Sequence, residues 1–178
     1  MTDQSPSPAT EEPSRRDLVA AAVTVAAVAG AASSAQTPAH AQGRADVRYS
    51  NPPGMSSPPA YSHVVEVNGP HRTVYLAGQT GADATGKVAQ DFRAQAVQVF
   101  ENIKTALASV GGNFDNVVKL TSYLTNIEAN AAEYRTVRAS YFTNKSALPA
   151  STLLQIPRLA NTAYLLEVDV IAVLPPRA

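Results

Sequence analysis

Residues 165–173 read LLEVDVIAV, an alternating stretch that decides which fold the chain can adopt. Alternate residues of a strand face the same side of a sheet. One side of this strand receives only apolar residues, namely Leu166, Val168, Val170 and Ala172. The other side mixes apolar residues with two carboxylates, Glu167 and Asp169. We therefore predict a strand covered on both faces, by a core on one side and by other subunits around a polar pocket on the other.

Four further strands are predicted from β-branched and aromatic runs. They cover residues 61–67, 73–77, 117–124 and 151–156. The first two flank the turn signal Asn68-Gly69-Pro70, so we expect them to pair as a hairpin. The fourth follows Pro149, and because proline lacks a backbone donor, a strand is expected to begin just after it.

Two amphipathic helices are predicted between these strands. The first begins after Asp91, a good N-cap, and ends at Gly111-Gly112, where glycine accepts a left-handed conformation. Its apolar residues follow the 3.6-residue helical period: Phe92, Ala96, Val99, Phe100, Ile103, Leu107 and Val110. The second helix covers 131–142. The order β-β-α-β-α-β-β predicts a two-layer α+β domain with both helices on one face of a mixed sheet.

The first 41 residues have the pattern of an export signal. Arg15 and Arg16 precede an apolar run at 18–32, and Ala39-His40-Ala41 is an A-x-A cleavage pattern. The paired arginines resemble those of Tat signals, which export proteins that have already folded. The apolar run has 15 residues, whereas a membrane-spanning helix needs roughly 20. A cleaved signal is therefore favoured over a membrane anchor.

The predicted domain organisation follows from this signal. We expect residues 1–41 to be removed after Ala41, or alternatively after Ala35, leaving an exported protein, periplasmic or secreted and not bound to the membrane. Residues 42–60 are rich in Pro, Ser and Gly and are expected to form an extended lead-in. Residues 61–178 then form one domain.

Composition excludes several kinds of site. The chain has no cysteine, which excludes disulfides, thiolate metal sites and a cysteine nucleophile. Its three histidines lack the spacing of metal ligands. Residues 42–178 carry twelve Lys and Arg against ten Asp and Glu, so a nucleic-acid partner is not expected.

Four stretches together resemble the Rid family, the reactive-intermediate deaminases also called YjgF-type proteins. They are LAGQTG (76–81), NVVKLTSYL (116–124), LPAST (148–152) and EVDVIAV (167–173). The resemblance implies a chorismate-mutase-like protomer and a homotrimer whose sheets line a central barrel, with ligand clefts between subunits. It further implies hydrolysis of imine and enamine intermediates to a 2-oxo acid and ammonia, without a metal or organic cofactor.

The LPAST segment departs from the pattern of deaminating Rid proteins. There it reads Pro-Ala-Arg-Ser, and the arginine binds the substrate carboxylate with charge and matching planarity. Ser151 stands at that position here and offers a hydroxyl without charge. Leu153 and Ala77 replace a common cysteine and the serine of a Ser-Gly-Gln motif. For Ser151 and Thr152, ligand contact and a merely polar strand start both remain open.

Other residues keep the pattern that the resemblance implies. Tyr61 matches a tyrosine near the cleft, Gly78 keeps a close backbone approach, and Asp169 stands where a glutamate polarises the attacking water. Arg135 occupies the position of an asparagine near the cleft and could restore a positive charge, although helical arginines are commonly just exposed. Arg158 is expected to be a solvated turn residue.

Two functional hypotheses follow. The first is an exported deaminase-type hydrolase acting on a small imine or enamine that need not carry a carboxylate, with Asp169 as the catalytic residue. The second is a non-catalytic trimeric protein that binds small molecules in the same clefts. An endoribonuclease role is disfavoured, because the charge is nearly balanced and paired histidines for acid–base cleavage are missing.

Overall fold

A four-stranded mixed sheet with two helices on one face is the centre of the fold. The computed structural model describes residues 46–177, and the predicted signal at 1–41 lies outside them. The elements are β1 (Asp46–Ser50), β2 (Val64–Asn68), β3 (Arg72–Thr80), α1 (Phe92–Ser109), β4 (Val117–Leu124), α2 (Ile127–Tyr141), β5 (Ala150–Gln155) and β6 (Leu166–Leu174). The predicted α+β class is confirmed.

Strand β6 lies inside the sheet, whose order is β3-β6-β4-β5. It pairs antiparallel with both β3 and β4, whereas β4 and β5 are parallel. Parallel neighbours need a crossover connection, and α2 provides it. The apolar row of β6 is buried in the core between sheet and helices, as its alternation predicted: Leu166, Val168, Val170 and Ala172.

Helix α1 has the predicted start and end. Asp91 Oδ1 accepts the backbone N–H of Ala94 at 2.8 Å. At the other end Gly111 adopts φ = 80°, and the N–H of Gly112 donates to the Leu107 carbonyl at 2.9 Å. This is the glycine-dependent closure that satisfies the last carbonyls of a helix. Between these caps the predicted apolar stripe is buried against the sheet.

Helix α2 begins four residues before its predicted start. Asn126 is the N-cap, and its side-chain oxygen accepts the N–H of Ala129 at 3.0 Å. Most residues of the first turn are polar or small and none of them is fully buried. The helical spacing of apolar residues therefore becomes visible in the sequence only from Ala131 onward. Neither helix in residues 46–177 is long and apolar enough to cross a membrane.

The predicted hairpin between the second and third strands of the fold is wrong. Strand β2 pairs antiparallel with β1, in a separate two-stranded sheet, and β3 pairs with β6. Pairing with β6 places Val74 and Leu76 of β3 against the core. Strand β2 lies outside the four-stranded sheet, so pairing with β2 would not bring these residues to the core. Strand β1 occupies part of the expected lead-in, so residues 46–50 belong to the folded domain.

Candidate functional site

The two hydroxyl residues at the start of β5 lie on opposite faces of the sheet. Ser151 is in register with the core residue Leu120, on the face that the helices cover. Thr152 is in register with Thr121 on the other face, and its Oγ1 accepts a hydrogen bond from Lys119 Nζ at 2.5 Å. The two residues therefore belong to different surroundings, as strand alternation requires.

Ser151 faces a cavity between α2, β5 and the segment before β2, which we call the α2–β5 cavity. Its volume is about 290 Å³, and it is lined by Ala60, Tyr61, Tyr134, Arg135, Arg138, Ser151 and Leu153. Three predicted site residues, Tyr61, Arg135 and Ser151, thus meet at one cavity. The N–H of Ser62 donates to the Pro149 carbonyl at 3.3 Å, which ties the segment carrying Tyr61 to β5.

Arg138 is a cavity residue that the sequence analysis missed. It is 6% exposed, and its guanidinium carbon lies 5.0 Å from the centroid of the Phe142 ring. Nη1 donates to the carbonyl of Ala60, whereas Nε and Nη2 have no hydrogen-bond partner among the described residues. Burial lowers the pKa of Arg138 from its ordinary value, which is high enough that the group stays a cation. Arg135, by contrast, is exposed.

The face of the sheet that the helices leave uncovered, which we call the open face, carries Asp169. Its Oδ2 accepts the Tyr123 hydroxyl at 3.0 Å, and this bond raises the pKa of the tyrosine. A cavity of about 280 Å³ adjoins Asp169 and Lys119, whose pKa is lowered by burial. Tyr75 also lines it and is 75% exposed in the single chain. The predicted residues Asp169 and Thr152 therefore share this face.

The carboxylate that lies against Gly78 belongs to Glu167. A β-carbon at Gly78 would lie 1.9 Å from Glu167 Oε1 and 2.6 Å from its Cδ. The β3–β6 register shifts between Leu76 and Gln79, so Gly78 sits in a bulge opposite β6. Burial, and then the charge of Asp169, raise the pKa of Glu167. The acid that lies against Gly78 is thus two residues before Asp169, and the predicted role of the Gly78 backbone in ligand binding stays a prediction.

The two groups of candidate residues lie at opposite edges of the sheet. Gly78 is on β3 and Ser151 is on β5, and the strand order places β6 and β4 between them. Three strand spacings amount to about 14 Å. A small ligand in the α2–β5 cavity therefore cannot also contact Gly78 of the same chain.

The remaining predictions about the site concern Arg158 and metal ions. Arg158 is exposed and donates to the backbone carbonyl of Leu159 at 3.4 Å, which agrees with a turn residue outside the site. Across residues 46–177, no group of three or more His, Asp or Glu side chains is arranged to hold a metal ion.

Residues 54–174 match the family model described as Endoribonuclease L-PSP. The chain belongs to this family. A RutC family protein of Aquifex aeolicus is 33% identical over 114 residues, which span 64% of this chain and 87% of that protein. The 2-iminobutanoate/2-iminopropanoate deaminase of Salmonella typhimurium is 31% identical over 101 residues, 56% of this chain and 78% of that protein.

Solved structures give the same assignment. A crystal structure of YyfB from Yersinia pestis, described as a Rid-family protein of unknown function, superposes with a TM-score of 0.66 at 31% identity. The superposition covers 72% of this chain and 98% of that one. The predicted resemblance to Rid proteins is thereby confirmed.

The sequence carried a signal for Arg138 and, in part, for Glu167, which the strand alternation places at the polar pocket beside Asp169. Arg138 follows Ala131 by seven residues and Tyr134 by four, so the helical period places it on the buried face. Glu167 stands in the same strand row as Asp169. What periodicity could not reveal is which of the two carboxylates reaches Gly78, because that depends on the bulge in β3.

Proposed function

We propose that this Rid-family protein is a deaminase-type hydrolase of small imine or enamine metabolites. The observation that carries the proposal is the Glu167 carboxylate held against the backbone of Gly78, with a raised pKa. A carboxyl group whose pKa moves toward neutrality can both accept and return a proton at working pH. The similarity to a 2-iminobutanoate/2-iminopropanoate deaminase supports this chemistry.

Glu167 moves the protons in the proposed reaction. Water adds to the carbon of a protonated C=N bond, a C–O bond forms, and the carboxylate accepts one proton from the water. Glu167 returns that proton to the amine nitrogen, the C–N bond breaks, and ammonia leaves. The remaining hydroxyl gives its proton to the carboxylate and becomes the carbonyl oxygen, and Glu167 then passes this proton to the released ammonia, which becomes ammonium, so that the carboxylate is regenerated. No electrons are gained or lost, and an enamine first takes up a proton at carbon to become the imine.

Asp169 has a supporting role in this proposal, which revises the catalytic role that the resemblance implied for it. Its charge raises the pKa of Glu167, and its own carboxylate accepts the Tyr123 hydroxyl. It therefore acts as a positioning residue that tunes the base. Thr152, bonded to Lys119 on the same face, belongs to this polar surrounding rather than to the α2–β5 cavity.

We propose a homotrimer as the active form. A ligand in the α2–β5 cavity meets Gly78 and Glu167 only if a second copy brings its β3 edge to that cavity, since the two edges of one sheet lie about 14 Å apart. The exposed Tyr75 on the open face supports burial against other copies. We further propose that residues 1–41 export the protein to the periplasm or beyond, which their signal pattern supports.

A second candidate function is non-catalytic binding of a small molecule in the same clefts. The observation that favours it is Ser151, because a hydroxyl replaces the arginine that the Rid resemblance implies for deaminating members. An RNA-cleaving role has less support, since residues 42–178 carry nearly balanced charge.

The experiment that separates the two functions measures imine lifetime. An amino-acid oxidase generates 2-iminobutanoate, semicarbazide traps the imine, and an active protein lowers the yield of semicarbazone. We expect the wild type to lower this yield and Glu167→Gln to behave like buffer. A neutral imine is assayed alongside. If neither imine is hydrolysed faster with the wild type than without protein, the binding function is the correct one.

A further inference from the structure

Three amide side chains of helix α1 lie on one side of the helix, and we call them the α1 amides. They are Gln95, Gln98 and Asn102, spaced three and four residues apart, as neighbours on one helical face are. Among the described residues, five of their hydrogen bonds go to backbone groups outside the helix, and a sixth joins Gln98 to Asn102. An amide whose donors and acceptor are bound to backbone groups holds that backbone in place.

Gln95 holds the chain at the start of β6. Its side chain is buried, with 1% of the residue exposed. Nε2 donates to the Ala163 carbonyl at 2.9 Å, and Oε1 accepts the N–H of Leu165 at 2.9 Å. Nε2 also donates to the Ala89 carbonyl at 2.8 Å, in the loop before α1. Leu165 is two residues before Glu167, so Gln95 fixes the backbone from which the proposed base extends.

Asn102 holds β3 at the residue opposite Glu167. Thr80 is the partner of Glu167 in the β3–β6 register. Asn102 Nδ2 donates to the Thr80 carbonyl at 3.0 Å and to the Ala82 carbonyl at 2.8 Å. Asn102 Oδ1 accepts from Gln98 Nε2 at 2.8 Å, which fixes the orientation of the amide. The same helix therefore holds both strands of this pair.

The two strands meet where the carboxylate of Glu167 lies against Gly78. This contact is tight, because a β-carbon at Gly78 would lie 1.9 Å from Glu167 Oε1. Strand β3 also packs directly on α1 just beyond it, since a β-carbon at Gly81 would lie 2.7 Å from Gln95 Cβ. The spacing between Gly78 and Glu167 thus depends on how α1 holds the two strands.

We propose that Gln95 and Asn102 are positioning residues that hold the Glu167 carboxylate against Gly78. They act through the backbones of β6 and β3, from the side of the sheet that carries the helices, and they do not touch the reacting atoms. Their effect on catalysis rests on the proposed hydrolase function. Their effect on the position of Glu167 does not.

The kinetic test compares Gln95→Met with Asn116→Leu. Methionine keeps the length of Gln95 without its hydrogen bonds, and a small displacement of the base can cost about 100-fold in rate. We expect kcat for imine hydrolysis to fall about 10- to 100-fold at unchanged KM, because Gln95 does not line the α2–β5 cavity. Asn116 Nδ2 donates to the carbonyl of Val173 at 3.2 Å, about 20 Å along β6 from Glu167. Its loss should lower the unfolding temperature, as in Gln95→Met, but not kcat.

A double-mutant cycle separates positioning from a merely structural role. Gly78→Ala already displaces the carboxylate, so adding Gln95→Met should lower kcat by a smaller factor than it does in the wild type. Asn102→Leu should show the same loss of kcat and the same coupling to Gly78→Ala. Independent losses that multiply, or an equal loss of kcat in Asn116→Leu, overturn the proposal. If Gln95→Met fails to fold, Asn102→Leu decides by the same measurements.

A titration of Glu167 by carboxyl-carbon NMR needs no activity. Burial and then the charge of Asp169 raise its pKa, and Tyr123 is the other titratable group that interacts with it. We expect this pKa to move toward its ordinary value in Gln95→Met and to stay unchanged in Asn116→Leu. That result without any imine hydrolysis by the wild type supports the positioning and rejects the hydrolase. Wild-type hydrolysis with kcat and pKa unchanged in Gln95→Met does the reverse.

Discussion

Substituting Gly78 with alanine moves the proposed base without removing it. An added β-carbon would lie 1.9 Å from Glu167 Oε1, whereas ordinary contacts are near 3.5 Å. The carboxylate must therefore retreat by about 1.5 Å. Misplacing a reacting group by about 1 Å can cost about 100-fold in rate, so we expect kcat/KM for imine hydrolysis to fall at least that far. Glu167 is a flexible side chain and Gly78 has no left-handed φ, so stability should change little.

Imine hydrolysis, followed by semicarbazone yield, is the assay, and thermal unfolding is measured in parallel. Gly112→Ala is the matched control, because it adds the same methyl group at a glycine that also lacks a left-handed φ. There the added carbon would lie 3.1 Å from Leu174 Cδ2, outside both groups of candidate residues. Wild-type activity in Gly78→Ala, or a loss no greater than in Gly112→Ala, would refute the role of Glu167 at this glycine.

Four other predictions concern Glu167, Asp169, assembly and export. The pKa of Glu167 is raised in the folded state, so its contribution to stability is present below its pKa in the unfolded chain and is lost as pH rises through its pKa in the folded protein. Glu167→Gln should therefore be at least as stable as wild type at neutral pH. The same variant should lose activity by about 100- to 10,000-fold, because it cannot accept a proton. Asp169→Asn should retain activity, but the fall of kcat/KM on the acid side of its pH profile should move to lower pH, because the negative charge that raises the pKa of Glu167 is removed. An unchanged pH profile would contradict the proposed effect of Asp169 on Glu167. Light scattering on residues 42–178 should give a trimer, and a stable monomer at micromolar concentration would reject the shared cleft. A reporter fused to residues 1–45 should be exported through Tat, and equal export with Arg15→Lys/Arg16→Lys would reject the twin-arginine signal.

Local patterns in the sequence determined the type and position of most elements. The alternation of β6 predicted its buried apolar row, and the period of α1 with its caps at Asp91 and Gly111 predicted that helix. These features depend on neighbours a few residues apart, and local rules describe such neighbours well. Strand alternation by itself requires the adjacent residues Ser151 and Thr152 to lie on opposite faces, as they do in the structure.

Only the tertiary structure decided which strand pairs with which, and which charges meet. Strand β3 pairs with β6 instead of β2, because the long-range pairing adds Val74 and Leu76 to the core. The bulge in that pair brings Glu167 rather than Asp169 against Gly78. Arg138 became a site residue only when α2 packed beside β5, since burial turned an ordinary helical arginine into an uncompensated cation. Burial and close contact depend on residues that are far apart in the chain. A local periodic pattern describes only residues that are near one another in the sequence, so it cannot predict either.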